Sequence, residues 1–217
     1  MTAAVITMVG ILAISTNPES GLVTTVDAAS SATTIATPTA SVVSVGYESL
    51  KVSWTVVSNA SRYDVYRATS ATGTFSKAAT VTSTSLTDTG RVTGKYYYYK
   101  VRAVVLDGSD AYSGKFSDVK SGRAIPATTK VTLTKSSATS IKVVWTGVAG
   151  ATKYQIYRAT SLSGTYSLAY TATSTARSWV NTGRTPGKTY YYKVRAYHLE
   201  GTTKVTGRFS TVKYLKV

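Results

Sequence analysis

The chain has 217 residues, and the absence of cysteine excludes a disulfide framework, a thiolate metal site and a cysteine nucleophile. A single histidine leaves little for general-base or metal chemistry, while 17 tyrosines beside 3 phenylalanines and 3 tryptophans favour β-strands. The formal net charge of +16 attracts polyanions, among them nucleic acid, anionic lipid and anionic cell-wall polymer.

The N-terminal segment has the pattern of a secretory signal. Residues 3–14 form an apolar run that is shorter than the roughly 20 residues a membrane span needs. A small-residue site follows, so we predict a signal peptide over residues 1–28 with cleavage after Ala28. No Lys or Arg precedes the apolar run, and the alternative is an N-terminal strand or tail. Residues 29–37 are rich in Ser, Thr and Ala and are predicted to be a flexible leader.

The remainder of the chain is an internal repeat with a period slightly above 90 residues. Trp54 corresponds to Trp145 at an offset of 91 residues, and the later matches have an offset of 93. A unit of this length is too long for a solenoid repeat and fits a self-sufficient sandwich domain. We therefore predict two domains, over residues 38–124 and 125–217.

Each unit contains short predicted strands in which side chains that face the core alternate with side chains that face outward. The segment 95–104, KYYYYKVRAV, returns as KTYYYKVRAY at 188–197. A strand places successive side chains on opposite faces, so about half of these tyrosines are predicted to lie in a core. The residues predicted to face the core are Tyr97, Tyr99, Val101 and Ala103 in the first copy and Tyr190, Tyr192, Val194 and Ala196 in the second.

These motifs together resemble the fibronectin type III domains of secreted bacterial surface proteins. The resemblance rests on a Trp in an early strand, a Tyr in the next strand, the tyrosine-rich strand and a Phe-Ser pair predicted to open the last strand. The residues concerned are Trp54 and Trp145, Tyr63 and Tyr154, Tyr97 and Tyr190, and the pairs Phe116-Ser117 and Phe209-Ser210. The resemblance implies an all-β fold of two tandem immunoglobulin-like β-sandwich domains with about seven strands each.

The resemblance also assigns a role to one tyrosine in each copy. Tyr97 and Tyr190 match the tyrosine-corner position, where the ring packs in the core and the hydroxyl bonds the preceding connection. Two departures from the family pattern occur nearby. Arg91 and Arg184 stand where the family has an apolar residue, and Thr93 replaces the turn proline of the first copy.

The outward faces of the predicted strands form the candidate ligand-binding surface. Its residues are Tyr66, Tyr98, Lys100 and Arg102 in the first domain and Tyr157, Tyr191, Lys193 and Arg195 in the second. Tyrosine rings can stack on sugars, and Lys or Arg can hold phosphate or carboxylate groups. The same residues satisfy strand propensity, so the alternative interpretation is a cross-strand ladder that only stabilises the sheet.

No set of residues indicates catalysis, and neither a cofactor nor a bound metal is predicted. His198 beside Glu200 falls short of an acid–base constellation. Asp107 and Asp110 supply two carboxylates where Ca²⁺ needs about six to eight oxygen ligands. No recognition helix or single-strand-binding fold is predicted, so neither a specific nucleic acid nor a transmembrane span is expected.

The charge is distributed unevenly between the two predicted domains. Residues 36–124 hold 11 basic and 6 acidic residues, a net charge of +5, whereas residues 125–217 hold 14 basic and 1 acidic residue, a net charge of +13. We therefore predict a secreted, non-enzymatic binding or spacer protein of the bacterial cell surface, whose second domain attaches to an anionic cell-wall polymer or glycan. It can also contact other surface proteins.

Two other functions are compatible with the same residues. The chain can be an accessory carbohydrate-contacting module of a polysaccharide-degrading system, in which the tyrosines contact neutral glycan. It can also be a pure structural spacer or a virion surface module with no ligand of its own.

Overall fold

The computed structural model describes residues 5–6 and 33–217. Strand β1 (Val5–Ile6) pairs antiparallel with strand β2 (Thr33–Thr34). The rest of the predicted signal peptide, including its cleavage site, lies outside the described residues. Among the described residues, no helix has the length and apolar character needed to cross a membrane.

The first sandwich contains two antiparallel sheets. Its strands are β3 (Ala40–Gly46), β4 (Ser49–Trp54), β5 (Arg62–Ala68), β6 (Ser76–Val81), β7 (Ser85–Asp88), β8 (Tyr96–Asp107), β9 (Asp110–Ser113) and β10 (Lys120–Arg123). One sheet has the order β3-β4-β7, and the other has the order β10-β8-β5-β6 with β9 also paired to β8. Because β9 and β10 both pair with β8, they are two segments of one seventh strand.

The second sandwich repeats this topology. Its strands are β11 (Val131–Ser137), β12 (Ser140–Trp145), β13 (Lys153–Ala159), β14 (Ser167–Thr173), β15 (Ser178–Asn181), β16 (Thr189–Glu200), β17 (Thr203–Thr206) and β18 (Lys213–Lys216). The sheet orders are β11-β12-β15 and β14-β13-β16-β17, with β18 also paired to β16. The all-β fold of two tandem sandwiches with about seven strands each is therefore confirmed.

Each sandwich encloses its own hydrophobic core, and the alternation along the tyrosine-rich strand is as predicted. Tyr99 is 0% exposed and lies in the first core, whereas its neighbours Tyr98 and Lys100 are only half-buried. Tyr192 has the same position in the second core. Ile35, within the stretch predicted to be a leader, also packs in the first core.

Both tyrosine corners are present. The hydroxyl of Tyr97 accepts a hydrogen bond from the Val92 amide at 3.1 Å, and the hydroxyl of Tyr190 accepts one from the Thr185 amide at 3.0 Å. The guanidinium of Arg91 lies 5.2 Å from the centre of the Tyr97 ring. The arginine therefore covers the corner ring through a cation–π contact, which accounts for the loss of the usual apolar residue.

The prediction that the Phe-Ser pair opens the last strand is wrong. Phe116 and Ser117 lie between β9 and β10, in a segment that forms no regular ladder. Ser117 maintains the pairing there together with Gly114. The Ser117 amide donates to the Val101 carbonyl at 2.8 Å and its hydroxyl accepts from the Val101 amide at 3.1 Å, while the Gly114 amide donates to the Ala103 carbonyl at 2.9 Å. The irregular backbone turns the Phe116 ring onto the outer face of the sheet.

Candidate ligand-binding face

The outer face of the larger first-domain sheet carries alternating cations and aromatic rings. The Phe116 ring lies at its centre, with the Lys100 ammonium 4.3 Å and the Arg102 guanidinium 5.1 Å from the ring centroid. Tyr66 meets Phe116 edge-to-face at 5.0 Å, and Lys100 also lies 4.7 Å from the Phe75 centroid. These cation–π contacts form a continuous ladder across the sheet.

The second domain carries the same ladder around Phe209. The Lys193 ammonium lies 4.4 Å and the Arg195 guanidinium 4.6 Å from the Phe209 centroid. Tyr157 meets Phe209 edge-to-face at 5.1 Å, and Lys193 also lies 4.3 Å from the Tyr166 centroid. The structure thus brings together three of the four predicted site residues of each domain around a phenylalanine that sequence reasoning did not assign to this face.

The ladder leaves few ring faces open to a ligand. A sugar stacks on a bare aromatic face, and the cations already cover these rings. The exception is the pair of Tyr191 and Tyr214, whose ring centroids lie 5.5 Å apart. Tyr214 is 68% exposed. Ser121 stands in place of Tyr214 in the first domain, so Tyr98 has no corresponding partner. The second domain therefore carries an open aromatic pair that the first domain lacks.

A buried carboxylate lies beneath the first ladder. The side chain of Asp64 is 3% exposed and pairs with Lys77 at 3.0 Å and with Arg102 at 3.2 Å. Thr80 adds a hydrogen bond at 2.7 Å. Burial alone would raise the pKa of Asp64, but the hydrogen bonds from Thr80, Lys77 and Arg102 outweigh it and hold the pKa below its ordinary value.

The depressed pKa of Asp64 makes the first domain sensitive to acid. A carboxyl whose pKa is lower in the folded state stabilises the fold above its unfolded pKa, about 3.9, and this contribution is lost as the pH falls through the folded pKa. Hydrogen exchange of β5 and β6 between pH 7 and pH 3 measures the loss. An Asp64→Asn variant is expected to be less stable at pH 7 and to lose less on acidification. An unchanged pH dependence in that variant would contradict the assignment.

The second domain replaces this carboxylate by an amide. Gln155 corresponds to Asp64, and its side-chain oxygen accepts a hydrogen bond from Arg195 Nε at 3.0 Å. Arg195 also donates to the Tyr157 hydroxyl at 3.1 Å. Leu168 stands where the first domain has Lys77, so one cation is lost together with the acid.

A second buried carboxylate lies between the two sheets of the first domain. Asp88 binds the Arg67 guanidinium through both oxygens, at 2.8 and 2.9 Å, and Arg91 Nε at 3.4 Å. The Tyr99 hydroxyl donates to it at 2.6 Å. Burial, followed by this hydrogen bond, raises the pKa of Tyr99 above its ordinary value. Gly90, with a φ of 70°, makes the left-handed turn that returns Arg91 to Asp88.

The corresponding cluster of the second domain contains no acid. Asn181 replaces Asp88, accepts from Arg158 at 3.4 Å and donates from Nδ2 to the Tyr192 hydroxyl at 2.8 Å. Arg184 Nε donates to the backbone carbonyl of Thr182 at 3.1 Å, as Arg91 Nε does to the carbonyl of Thr89, but among the described residues it has no carboxylate partner. Neither arginine forms an ion pair with any carboxylate of residues 34–217.

The other titratable residues considered from the sequence form no reactive cluster. The His198 ring packs 5.6 Å from the Tyr47 ring of the first domain and lies 3.2 Å from the Glu200 carboxylate. Within the part of the chain that the structure describes, no group of three or more His, Asp or Glu residues is placed to hold a metal ion.

Sequence comparison finds one informative relative. No protein-family model matches the chain. Exoglucanase B of Cellulomonas fimi is 30% identical to this chain over 164 residues, which cover 69% of the chain and 14% of the enzyme. The chain therefore corresponds to a small part of the length of that enzyme.

Comparison with solved structures finds similar folds at low sequence identity. The chicken interferon gamma receptor alpha chain has a TM-score of 0.52 at 14% identity, covering 83% of this chain and 97% of the receptor chain. A segment of two fibronectin type III domains from chicken tenascin has a TM-score of 0.45 at 18% identity, covering 83% of this chain and 99% of the segment. Two successive sandwiches with one strand order, each with an early-strand Trp and a tyrosine corner, give the chain the fold of tandem fibronectin type III domains.

Proposed function

We propose that the chain is a non-catalytic accessory module of a secreted bacterial polysaccharide-degrading system, in which it contacts glycan. The observation that carries this proposal is the similarity to Exoglucanase B, which covers 69% of this chain but only 14% of the enzyme. A match to so small a share of the enzyme is what an accessory module would give. The tandem of compact sandwiches suits such a role, because each domain folds around its own core and spaces its neighbours apart.

The open aromatic pair of the second domain is the place where a neutral sugar can bind. Tyr191 and Tyr214 present ring faces that no cation of the ladder covers, and Tyr214 is 68% exposed. Tyrosine supplies a rigid apolar face and a polar hydroxyl at little cost in conformational entropy. The pair can therefore stack on one sugar ring and donate to its hydroxyl groups.

A glycan array that includes soluble β-glucans tests this proposal. Replacing Tyr191 or Tyr214 by alanine is expected to weaken binding to neutral glycan by about tenfold, equivalent to ~1.4 kcal/mol. Tyr98→Ala is the matched control, because the first domain has no counterpart of Tyr214, and a smaller loss is expected there. The proposal fails if no neutral glycan is bound or if the three variants bind as the parent chain does.

A second candidate function is attachment to an anionic polymer at the cell surface. The observation that favours it is the net charge of +13 over residues 125–217, against +5 over residues 36–124. Replacement of Asp64 by Gln155 and of Asp88 by Asn181 accounts for part of that difference. Attraction of this kind weakens steeply with salt, which separates it from the stacking of neutral sugars.

A further inference from the structure

Both domains contain the same pair of arginines, but only the first domain supplies a carboxylate that binds the pair. In the first domain, Asp88 accepts from Arg67 at 2.8 and 2.9 Å and from Arg91 at 3.4 Å. Arg158 and Arg184 occupy the same two positions in the second domain, where a neutral amide replaces the carboxylate. The first cluster therefore has a net charge of +1 and the second a net charge of +2.

The amide does not replace the carboxylate in binding the two guanidinium groups. Asn181 Oδ1 lies 3.4 Å from the Arg158 nitrogen, which is longer than either Asp88–Arg67 contact. Each guanidinium has five N–H donors. Within residues 34–217, Arg158 uses one of them in a hydrogen bond and Arg184 uses one. Most donors of both groups are therefore available to another acceptor.

Both arginines are held in place and remain accessible. Their guanidinium groups lie 5.9 Å and 5.3 Å from the centroid of the Tyr190 ring, which is itself fixed by the tyrosine corner. Each arginine is half-buried, so it is partly shielded from water and partly exposed to it. Partial burial strengthens the attraction of an incoming anion relative to a fully exposed lysine or arginine.

The second domain also has an amide in place of an acid at Gln155, but that replacement does not leave two arginines without a carboxylate. Where Gln155 replaces Asp64, Leu168 also replaces Lys77, and the remaining Arg195 donates to Gln155 and Tyr157. That position keeps one cation with two acceptors. The Asn181 position keeps both cations, Arg158 and Arg184, and neither has an acidic partner among the described residues.

We infer that Arg158 and Arg184 bind one oxyanion, a carboxylate or a phosphate, of an acidic polysaccharide. The planar guanidinium fork matches both groups through paired N–H···O bonds. An extended acidic polymer is the occupant because the field around the site extends over a domain of net charge +13 with one acidic residue. The inference rests on the second candidate function and gives the attachment a defined site, whereas the proposed contact with neutral glycan at Tyr191 is independent of it.

The repeat itself supplies the decisive variant. Asn181→Asp gives the second domain the counter-ion that Asp88 provides in the first, so the arginine pair becomes occupied internally. With the full chain and polygalacturonate as the carboxylate probe, we expect affinity to fall about tenfold or more, as expected for loss of charge-assisted hydrogen bonds. Poly(glycerol phosphate) serves as the phosphate probe in a second arm, and the arm with the larger loss identifies the preferred oxyanion.

Gln155→Asp is the matched control, because it adds the same charge to the same domain outside the site. It is expected to reduce affinity for either polymer only about twofold through the domain's overall field. Conversely, Asp88→Asn removes the internal counter-ion from the first domain, and we expect it to raise the number of polymer-binding sites per chain. Thermal melts check that every variant is folded.

Three results would overturn the inference. Equal losses for Asn181→Asp and Gln155→Asp would show that only the overall charge matters. Unchanged binding in Asn181→Asp at low salt would show that the arginine pair takes no part. Tighter binding of a DNA duplex than of either glycan polymer, with the same sensitivity to Asn181→Asp, would assign the site to nucleic acid. Neutral-glycan binding is expected to be lost in Tyr191→Ala and retained in Asn181→Asp. The two proposals can therefore fail independently of each other.

Discussion

Replacing Tyr97 by alanine is expected to unfold the first domain while the second domain stays folded. The ring is 5% exposed and lies in the first core, and its hydroxyl holds the Val92 amide at 3.1 Å. Truncating a buried aromatic side chain costs about 3–5 kcal/mol, and the lost hydrogen bond adds roughly 1 kcal/mol. A sum of this size approaches the whole stability of a small domain, about 5–15 kcal/mol.

Hydrogen exchange resolved by peptide measures this effect, since it reports β4, β5 and β8 separately from the strands of the second domain. Two controls bracket the result. Tyr97→Phe removes only the hydroxyl and is expected to cost roughly 1 kcal/mol. Tyr98→Ala changes the half-buried outer face and is expected to leave the domain folded. Unfolding by Tyr98→Ala but not by Tyr97→Ala would show that the assigned faces are reversed.

Replacing Asp88 by alanine is expected to have the next largest effect. The change leaves the guanidinium groups of Arg67 and Arg91 and the hydroxyl of Tyr99 without their common acceptor. Removing one partner from a fully buried ion pair costs about 3–5 kcal/mol, and we expect the lower end of that range because the Arg67 and Arg91 side chains are 26% and 19% exposed. The first domain should therefore show a sharply lowered midpoint in urea.

Asn181→Ala in the second domain is the matched control for Asp88→Ala. The amide makes one bond at 2.8 Å and one at 3.4 Å, and no buried charge depends on it for neutralisation. We expect a cost of about 1–3 kcal/mol. Urea unfolding followed by hydrogen exchange in each domain compares the two variants. An equal cost for both would mean that the ionic character of the Asp88 cluster contributes little.

Much of the fold follows from the alternation of apolar and polar residues along the strands. Leu50, Val52 and Trp54 alternate with polar residues, and all three are buried as this alternation predicts. Position 116 could not be placed in this way, because Phe116 lies outside a regular strand and there the period of two no longer gives the direction of a side chain. The ladder on the outer face depends on that ring.

The candidate site was predictable in part. The outward direction of Lys100 and Arg102 follows from strand alternation, but their partners come from loops and neighbouring strands. The Asp88 cluster left a signal in the sequence, since Asp88 and Asn181 occupy the same repeat position. Both residues stand in turn-forming triplets, so turn chemistry alone explained them. Only the distances between side chains show that Asp88 binds two arginines.

The division of the seventh strand of the first domain affects how that domain bears tension. A pull transmitted between the domains reaches the first domain through β10, which is held to β8 by four residue pairs. The four residue pairs between β9 and β8 lie beyond residues 114–119 and bear the force only after β10 has detached. The two hydrogen bonds of Ser117 stand between these segments. A stretched chain would therefore release β10 before β9, and release of β10 would pull Ala124 out of the first core.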